Sequence, residues 1–260
     1  MLFFYAILPF LVILLSACGA NPSPVSNPTE TMTPQPSETP ALLSTSTSAP
    51  TGVFPAIPTK PTQDPSFFRD DFVKTLDMQW KWIREDPKNW SLQSVPGSLQ
   101  INAGQGYVLA HSNTNLLVRP APKGNFQVET QLTFQPRDNF DFAGLIVYET
   151  DSNFIQAGHG FCSSIGCIGE GLYIHSYHKG LAEGPGIGQT STLAAPLFLR
   201  LSRRENLYEF AISQDGRVWF LIASQTSNLK PLQVGLVAAQ HLSRESLSAV
   251  FEYFEVRGLP

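Results

Sequence analysis

The sequence predicts an all-β domain, a sandwich of two antiparallel sheets. Short segments rich in β-branched and aromatic residues follow one another along the chain, as in NFQVETQLTF and LYEFAIS. Turn residues such as Pro96-Gly97 and Asp215-Gly216 separate them. No stretch after the N-terminal leader keeps a helical period over ten residues. Many short strands divided by turns are typical of a sandwich rather than of an α/β fold.

Eleven segments carry the strand pattern, and each has the length of an ordinary β-strand. In chain order the predicted strands are 99–104, 107–112, 125–134, 142–149, 153–161, 171–179, 197–204, 207–213, 218–224, 232–240 and 247–258. We place the folded domain at residues 67–260, which is an ordinary size for one domain.

Residues 1–17 have the composition of a secretory signal. The run from Leu2 to Ala17 has no charged side chain and is shorter than the about 20 residues that a membrane-spanning helix needs. It ends in Leu15-Ser16-Ala17-Cys18, which resembles the bacterial lipobox, although no Lys or Arg precedes the run. In a lipoprotein, Cys18 receives a diacylglyceryl group and becomes the new N-terminus. A simple cleaved signal and an N-terminal membrane anchor are the alternatives.

Residues 18–66 are predicted to be the lipidated cysteine followed by a disordered stalk. Eleven of the 21 prolines in the chain lie between Gly19 and Ser66, and Ser, Thr and Ala make up most of the rest. Such a segment cannot bury enough apolar surface to offset its chain entropy, and proline keeps it extended. Acyl chains on Cys18 would hold the domain outside the cytoplasm, on the cell membrane or cell surface.

Two cysteines remain in the folded part of the chain. Cys162 and Cys167 flank Ser-Ser-Ile-Gly in an exported protein, which predicts a disulfide across a hairpin or loop. Free thiols are the alternative. A metal site would need further ligands, and the nearest histidines, His159 and His175, have no standard zinc spacing to the cysteines.

Five segments, in the right order, resemble one domain family. Its opening is similar to FRDDFVKTLDMQWKWIREDPKNWSLQSVPGSLQI, and its middle is similar to NLLVRPAPKGNFQVETQLTF and FAGLIVYETDSNFIQAG. Its end is similar to LFLRLSRRENLYEFAISQDGRVWFLI and VGLVAAQ…AVFEYFEV. The family is the concanavalin A-like domain at the C-terminus of family 43 β-xylosidases, with related stand-alone bacterial domains. The resemblance implies a concanavalin A-like jelly-roll sandwich, which in the xylosidases packs against a catalytic propeller and contributes little chemistry.

A hydrolase site is not predicted. Laminarinase-like enzymes of the same broad fold carry Glu-x-Asp-x-x-Glu on one strand, and a retaining pair of carboxylates lies about 5.5 Å apart. The segment ETDSNF offers Glu149 and Asp151, but Phe154 stands where the second catalytic Glu belongs. Asp151-Ser152-Asn153 also has the composition of a turn, so the strand has ended there. We therefore expect no enzyme.

Acidic residues near both ends of the domain raise the question of a structural calcium ion. In related sandwiches, a carboxylate near the first strand and one near the last can meet at Ca²⁺. Asp70, Asp71 and Glu252 have this placement. Carboxylates that are solvated or capped by backbone amides are the alternative. No other cofactor is predicted.

The four tryptophans are predicted to be core residues. Trp80 and Trp82 share a strand face with Met78 if MQWKWI is extended, and three large apolar groups on one face indicate core rather than a sugar-stacking platform. Trp90 and Trp219 are assigned to the core in the same way.

A groove with polar and aromatic walls is the candidate ligand site. In GLYIHSYHKG, alternation puts Tyr173, His175 and Tyr177 on one strand face. The segment GLIVYE is apolar on both faces, so its outer face needs cover from loops or from a ligand. An intersheet polar network under loops is the alternative. The predicted groove comprises Tyr148, Gln156, Tyr173, His175, Tyr177 and Arg200.

Three functions follow, in decreasing order of support. The first is a non-catalytic, surface-anchored carbohydrate-binding domain, because aromatic faces in concanavalin A-like sandwiches stack on sugar rings. The second is a structural or adhesion module that binds a protein partner, and the third is an enzyme. The net charge of -4 and the absence of a basic cluster exclude nucleic acid as a partner.

Overall fold

The structure is a computed structural model that describes residues 67–163, 167–183, 187–189, 194–240 and 246–260. The predicted signal peptide, the lipidation site Cys18 and the stalk lie outside these residues. In the part of the chain that the structure describes, no helix is long and apolar enough to cross a membrane.

The described residues form sixteen β-strands and one short 3₁₀-helix, Val108–Ala110. In chain order the strands are β1 (Phe67–Asp70), β2 (Lys81–Ile83), β3 (Trp90–Ser91), β4 (Leu99–Gln105), β5 (Leu116–Pro120), β6 (Phe126–Thr133), β7 (Phe142–Thr150), β8 (Asn153–Cys162), β9 (Gly169–His178), β10 (Leu181–Ala182), β11 (Ile187–Gln189), β12 (Leu197–Arg204), β13 (Leu207–Ser213), β14 (Phe220–Thr226), β15 (Gln233–Gln240) and β16 (Leu247–Gly258).

Sheet 1 is built around the last strand. Its order runs β14-β13-β12-β6-β16, and β1 and β4 share the far edge of β16, with β3 beyond β4. β16 can hold two neighbours on one edge because it is 12 residues long. β4 pairs with its first half and β1 with its second half, so the first and last strands of the domain meet.

Sheet 2 carries the candidate site. Its order runs β9-β8-β7-β15-β5-β2, with antiparallel pairing throughout, and both β10 and β11 lie on the outer edge of β9. The end of β4 runs parallel to the end of β15, where Gly104 lies beside Ala239, so the hydrogen bonding continues from one sheet into the other. The predicted two-sheet sandwich is confirmed, with this one parallel contact.

The core lies between the two sheets and follows from strand alternation. Leu145 and Val147 of β7 and Leu199 and Leu201 of β12 are fully buried in one cluster. Successive side chains of a strand point to opposite faces, so Ile146 of β7 and Arg200 of β12 point away from the core. The prediction that Leu145 and Val147 are core residues is confirmed.

Ten of the eleven predicted strands are present, and the strand predicted at 107–112 is wrong. This segment contains the 3₁₀-helix, and His111 after it has the left-handed φ of 56°. Six strands were not predicted, namely β1, β2, β3, β5, β10 and β11. Each has five residues or fewer, which is too short to show a clear alternation.

The tryptophan predictions are confirmed in part. Trp80 is 8% exposed in the core, and Trp82 and Trp90 pack against the core with ring centroids 4.9 Å apart. Met78 is 98% exposed, because β2 begins only at Lys81 and Met78 does not share a strand face with Trp80. Trp219 is not in the core either, but lies on the outer side of sheet 1 against Arg200.

The predicted disulfide between Cys162 and Cys167 is confirmed. It joins the end of β8 to the residues just before β9.

Asp70 closes the loop between β1 and β2. Its Oδ1 accepts the backbone N–H of Phe72 at 2.9 Å, and its Oδ2 accepts the indole N–H of Trp80 at 2.8 Å. Phe72 has a left-handed φ of 53° and is fully buried, so the carboxylate fixes a strained turn directly above the core. Asp70 thus acts as a capping carboxylate, the alternative given for it in place of calcium.

The other two residues of the calcium prediction line a groove of about 630 Å³ on the outer side of sheet 1. There Asp71 accepts a hydrogen bond from Arg69, and Glu252 lies on β16. Among the described residues, no group of three or more His, Cys, Asp and Glu side chains is arranged to hold a metal ion. Calcium binding stays a prediction.

We expect Asp70→Asn to lower the free energy of unfolding by about 1–3 kcal/mol, because an amide cannot accept both the Phe72 and Trp80 donors through its two terminal atoms. Asp71→Asn, the matched control, removes only an exposed ion pair with Arg69 and should change stability by less than about 0.5 kcal/mol. Urea unfolding of both variants measures the difference. Equal losses would contradict the role assigned to Asp70.

Candidate functional site

The candidate site is a cavity of about 180 Å³ on the outer face of sheet 2. Fifteen residues line it, drawn mainly from β7, β8, β9 and the segment that contains the 3₁₀-helix. Tyr107 and Phe140 stand at its rim, 40% and 47% exposed, with their rings stacked at 6.2 Å.

The floor of the cavity follows from the register of three strands. On the outer face, Gln156 of β8 lies directly opposite His175 of β9, and Tyr173 lies opposite Gly158. Gly158 in turn pairs with Gly144 of β7. Gly160, two residues further along the same face of β8, has no side chain and lines the cavity.

Gly160 and Gly188 lie so close to aromatic rings that neither position has room for a side chain. A Cβ atom on Gly160 would lie 3.0 Å from the ring of Phe142 and 3.6 Å from the ring of Tyr173. On Gly188 it would lie 2.7 Å from the ring of Tyr173. These rings therefore rest on bare backbone, and a larger residue at either glycine would displace them.

Stacked rings form the walls. Tyr173 and His175 stack with centroids 5.5 Å apart and planes 15° apart, and Phe154 and Tyr177 stack at 4.9 Å. The hydroxyl of Tyr173 donates a hydrogen bond of 2.6 Å to the carbonyl oxygen of Gly169, which fixes the ring. Ring faces held in this way offer flat apolar surface to a ligand.

Two polar atoms at the cavity are buried and have no hydrogen-bond partner, His175 Nδ1 and Asp141 Oδ1. The other oxygen of Asp141 accepts the backbone N–H groups of Arg137 and Asp138, each at 2.9 Å. Buried polar groups in proteins nearly always have partners, so each such orphan needs an explanation. A ligand in the cavity could supply partners to both.

Burial lowers the pKa of His175 to about 4. The imidazole is therefore neutral at physiological pH, with one ring nitrogen as a donor and the other as an acceptor. A neutral imidazole suits hydroxyl groups, which both donate and accept.

One wall of the cavity is formed by residues 106–115, which we call the strap. Val108 of the strap is buried against the outer face of sheet 2, in an apolar cluster with Ile146 and Val237. The backbone N–H of Gly106 donates to the carbonyl of Gln240 at 2.7 Å, and the side chain of Asn113 donates to the carbonyl of Ala238 at 2.8 Å. Both ends of the strap are thus held to β15.

Asp151 holds the strap to the turn between β7 and β8. Its carboxylate accepts hydrogen bonds from Arg84 at 2.7 Å, from His111 of the strap at 2.9 Å and from the hydroxyl of Tyr148 at 3.0 Å. Burial, and then the nearby Asp151, raise the pKa of Tyr148 to about 12, so its hydroxyl stays protonated and donates. Asp151 therefore positions the cavity wall, and the turn predicted at this residue is present.

The structure brings four of the six predicted groove residues together. Gln156, Tyr173, His175 and Tyr177 all line the cavity. Tyr148 lies on the same face of sheet 2 but outside the cavity lining, in the apolar cluster behind it. The outer face of β7 is covered partly by the strap, as the apolar pattern required, and partly left open.

Arg200 is not at this site. It lies on the outer side of sheet 1, where it pairs with Glu129 at 3.0 Å and covers the ring of Trp219 at 3.6 Å. Alternation correctly placed Arg200 on an outward face. It could not tell which of the two sheets would hold the strand, and the two outward faces lie on opposite sides of the sandwich.

Sequence reasoning missed the rim and one end of the cavity. Phe142 shares its strand face with Ile146 and Tyr148, so the alternation already placed it beside the predicted groove. The alternation gave no indication of the strap, because residues 107–112 within it were predicted to form a β-strand. The missed lining residues are Tyr107, Val108, Leu109, Phe140, Asp141, Phe142, Phe154, Gly160, Phe161, Cys162 and Ala239.

We expect the protein to lose stability as the pH falls from about 6.5 toward 4, partly through His175. Its pKa is about 4 in the folded state and about 6.5 in the unfolded chain, so the unfolded chain binds more protons in this window. His175→Gln should remove up to about 3 kcal/mol of this loss. Urea unfolding at a series of pH values measures it. Parallel curves for the two proteins would contradict the assignment.

Comparisons with known proteins agree with the fold and the course of the strands. The beta-xylosidase C-terminal concanavalin A-like domain matches residues 69–257. A xylan 1,3-beta-xylosidase of a Vibrio species is 26% identical over 162 residues, which cover 59% of this chain and 28% of that protein. The chain thus spans less than a third of the length of this curated relative.

Two solved structures share the fold. A family 43 glycoside hydrolase of Bacillus licheniformis superposes with a TM-score of 0.65 at 21% identity, over 76% of this chain and 40% of the other. A xylan beta-1,4-xylosidase of Bacillus halodurans superposes with a TM-score of 0.63 at 21% identity, over 78% and 41%. The resemblance read from the five sequence segments is confirmed. This chain belongs to the family of beta-xylosidase C-terminal concanavalin A-like domains.

Proposed function

We propose that the protein is a lipid-anchored extracytoplasmic module that binds a glycan without cleaving it, in the cavity on the outer face of sheet 2. The observation that carries the proposal is the cavity itself, which is walled by stacked rings and lined by His175 and Asp141, two residues that each have a buried polar atom without a partner. A sugar ring has apolar faces that stack on aromatic rings and a polar edge that needs hydrogen-bond partners.

The size of the cavity favours a single sugar ring. Its 180 Å³ lies below the range of about 300–1,000 Å³ that is usual for small-molecule sites. The strap closes one side, so a long chain cannot lie across the sheet through this point. We infer that the cavity takes a chain end or a side branch.

The family supports a carbohydrate ligand. Two of the relatives named above are xylan xylosidases by name, and this chain matches the C-terminal domain of the family. Xylan fragments are therefore the first ligands to test. The lipobox-like segment ending at Cys18 and the proline-rich stalk support presentation of the domain at the cell surface.

A non-catalytic role fits the residues at the cavity. Glycoside hydrolysis usually needs two carboxylates about 5–10 Å apart, and Asp141 is the one carboxylate among the fifteen lining residues. The described residues do place Glu129 and Glu255 opposite each other on sheet 1. There each is engaged by an arginine, Glu129 by Arg200 at 3.0 Å and Glu255 by Arg69 at 3.2 Å. The enzyme alternative has the weaker support.

Binding to a protein partner, the second alternative, has one observation in its favour. Phe220 and Leu221, at the start of the edge strand β14, are 57% and 60% exposed, and Val218 just before them is 56% exposed. Exposed apolar side chains beside a sheet edge can mark a contact surface. This patch lies on sheet 1, so variants separate the two functions.

We expect the domain to bind at least one neutral or amino-bearing oligosaccharide, and Gln156→Ala to weaken that binding about fivefold or more, as for the loss of one hydrogen bond. Phe220→Ala is the matched control on the other sheet and should leave the affinity unchanged. A glycan array selects the ligand, and isothermal titration measures the affinity. No bound glycan on the array, or equal losses for the two variants, would contradict the proposed site.

A further inference from the structure

The described residues that line the cavity carry a single formal charge. Asp141 is the one Asp, Glu, Lys or Arg among its fifteen lining residues. The histidine among them, His175, is neutral at physiological pH because burial lowers its pKa to about 4. The described part of the lining therefore presents one negative charge and no positive charge to a ligand.

The carboxylate of Asp141 is completely buried and incompletely satisfied. The residue has no exposed surface, and its Oδ2 holds the two backbone donors of the 137–138 turn. Its Oδ1 has no partner. No described Lys, Arg or His side chain forms an ion pair with Asp141. A buried charge without a counterion costs free energy, so a cation that reaches Oδ1 would be bound favourably.

The remaining walls suit a cation as well. Seven of the fifteen lining residues are Phe or Tyr. The face of an aromatic ring attracts a cation through its quadrupole, and the attraction is larger in a site from which water is excluded. A carboxylate among aromatic rings is a combination that recognises ammonium groups better than neutral or acidic ones.

We propose that the sugar bound in this cavity is an amino sugar, whose protonated amine lies against Oδ1 of Asp141. The inference rests on the proposed function and names its ligand class. A neutral sugar offers Asp141 only a hydroxyl donor, and a uronic acid brings a second negative charge into the same small space. Affinity should therefore fall in the order amino sugar, neutral sugar, uronic acid.

Three methyl glycosides that share one ring test the order: methyl β-glucosaminide, methyl β-glucoside and methyl β-glucuronide. Each glycoside is titrated into the domain, and binding is followed by the amide chemical shifts. The titrations are made at about pH 6, where the amine of the glucosaminide is protonated. We expect the glucosaminide to bind at least tenfold tighter than the glucoside and the glucuronide to bind weakest. Raising the salt concentration should weaken the binding of the glucosaminide and leave the binding of the glucoside unchanged.

Asp141→Asn keeps the size of the side chain and removes its charge. It should erase the preference for the glucosaminide, whereas Gln156→Ala should weaken all three glycosides by one common factor. The salt series on the wild-type protein gives an independent answer if the Asp141 variant does not fold. Equal binding of glucosaminide and glucoside by the wild type would overturn the amino-sugar inference alone. If none of the three binds but the glycan array yields a ligand, the amino-sugar inference falls and the glycan site stands; if the array also yields none, both fall.

Discussion

The architecture of sheet 2 depends on one constraint, the burial of both faces of β7. Leu145 and Val147 face the core between the sheets, while Ile146 and Tyr148 between them face outward and are also buried. An antiparallel sheet with one face in water would carry polar residues on that face. Here the outward face must be covered, and the strap covers it only in part. The uncovered part is the cavity.

The polar contacts around the strap make the cavity a pre-formed site. Asp151 joins Arg84 before the strap, His111 within it and Tyr148 beneath it. The ends of the strap are bonded to β15. A wall fixed by the folded protein costs a ligand little ordering entropy when it binds. The Tyr173 ring is held in the same way, by the hydrogen bond of its hydroxyl group and by close contact with Gly188.

Much of the fold and four of the fifteen lining residues of the site could be predicted because alternation is a local property. It placed Tyr173, His175 and Tyr177 on one face and marked both faces of β7 as buried. It could not assign Arg200 to a sheet, since pairing between distant strands decides that. Nor could it find the strap, whose 3₁₀-helix has no periodic pattern, or the role of Asp70, which depends on an indole ten residues away.

We propose that the outer face of sheet 2, and not sheet 1, is the ligand-binding surface. Amide chemical shift mapping of the ¹⁵N-labelled domain with the best glycan from an array tests it most directly. We predict that the largest changes fall at Gln156, Gly160 and His175 and in the strap. Changes centred on Phe220 and Leu221 of β14, or on the groove beside Glu252, would contradict the claim.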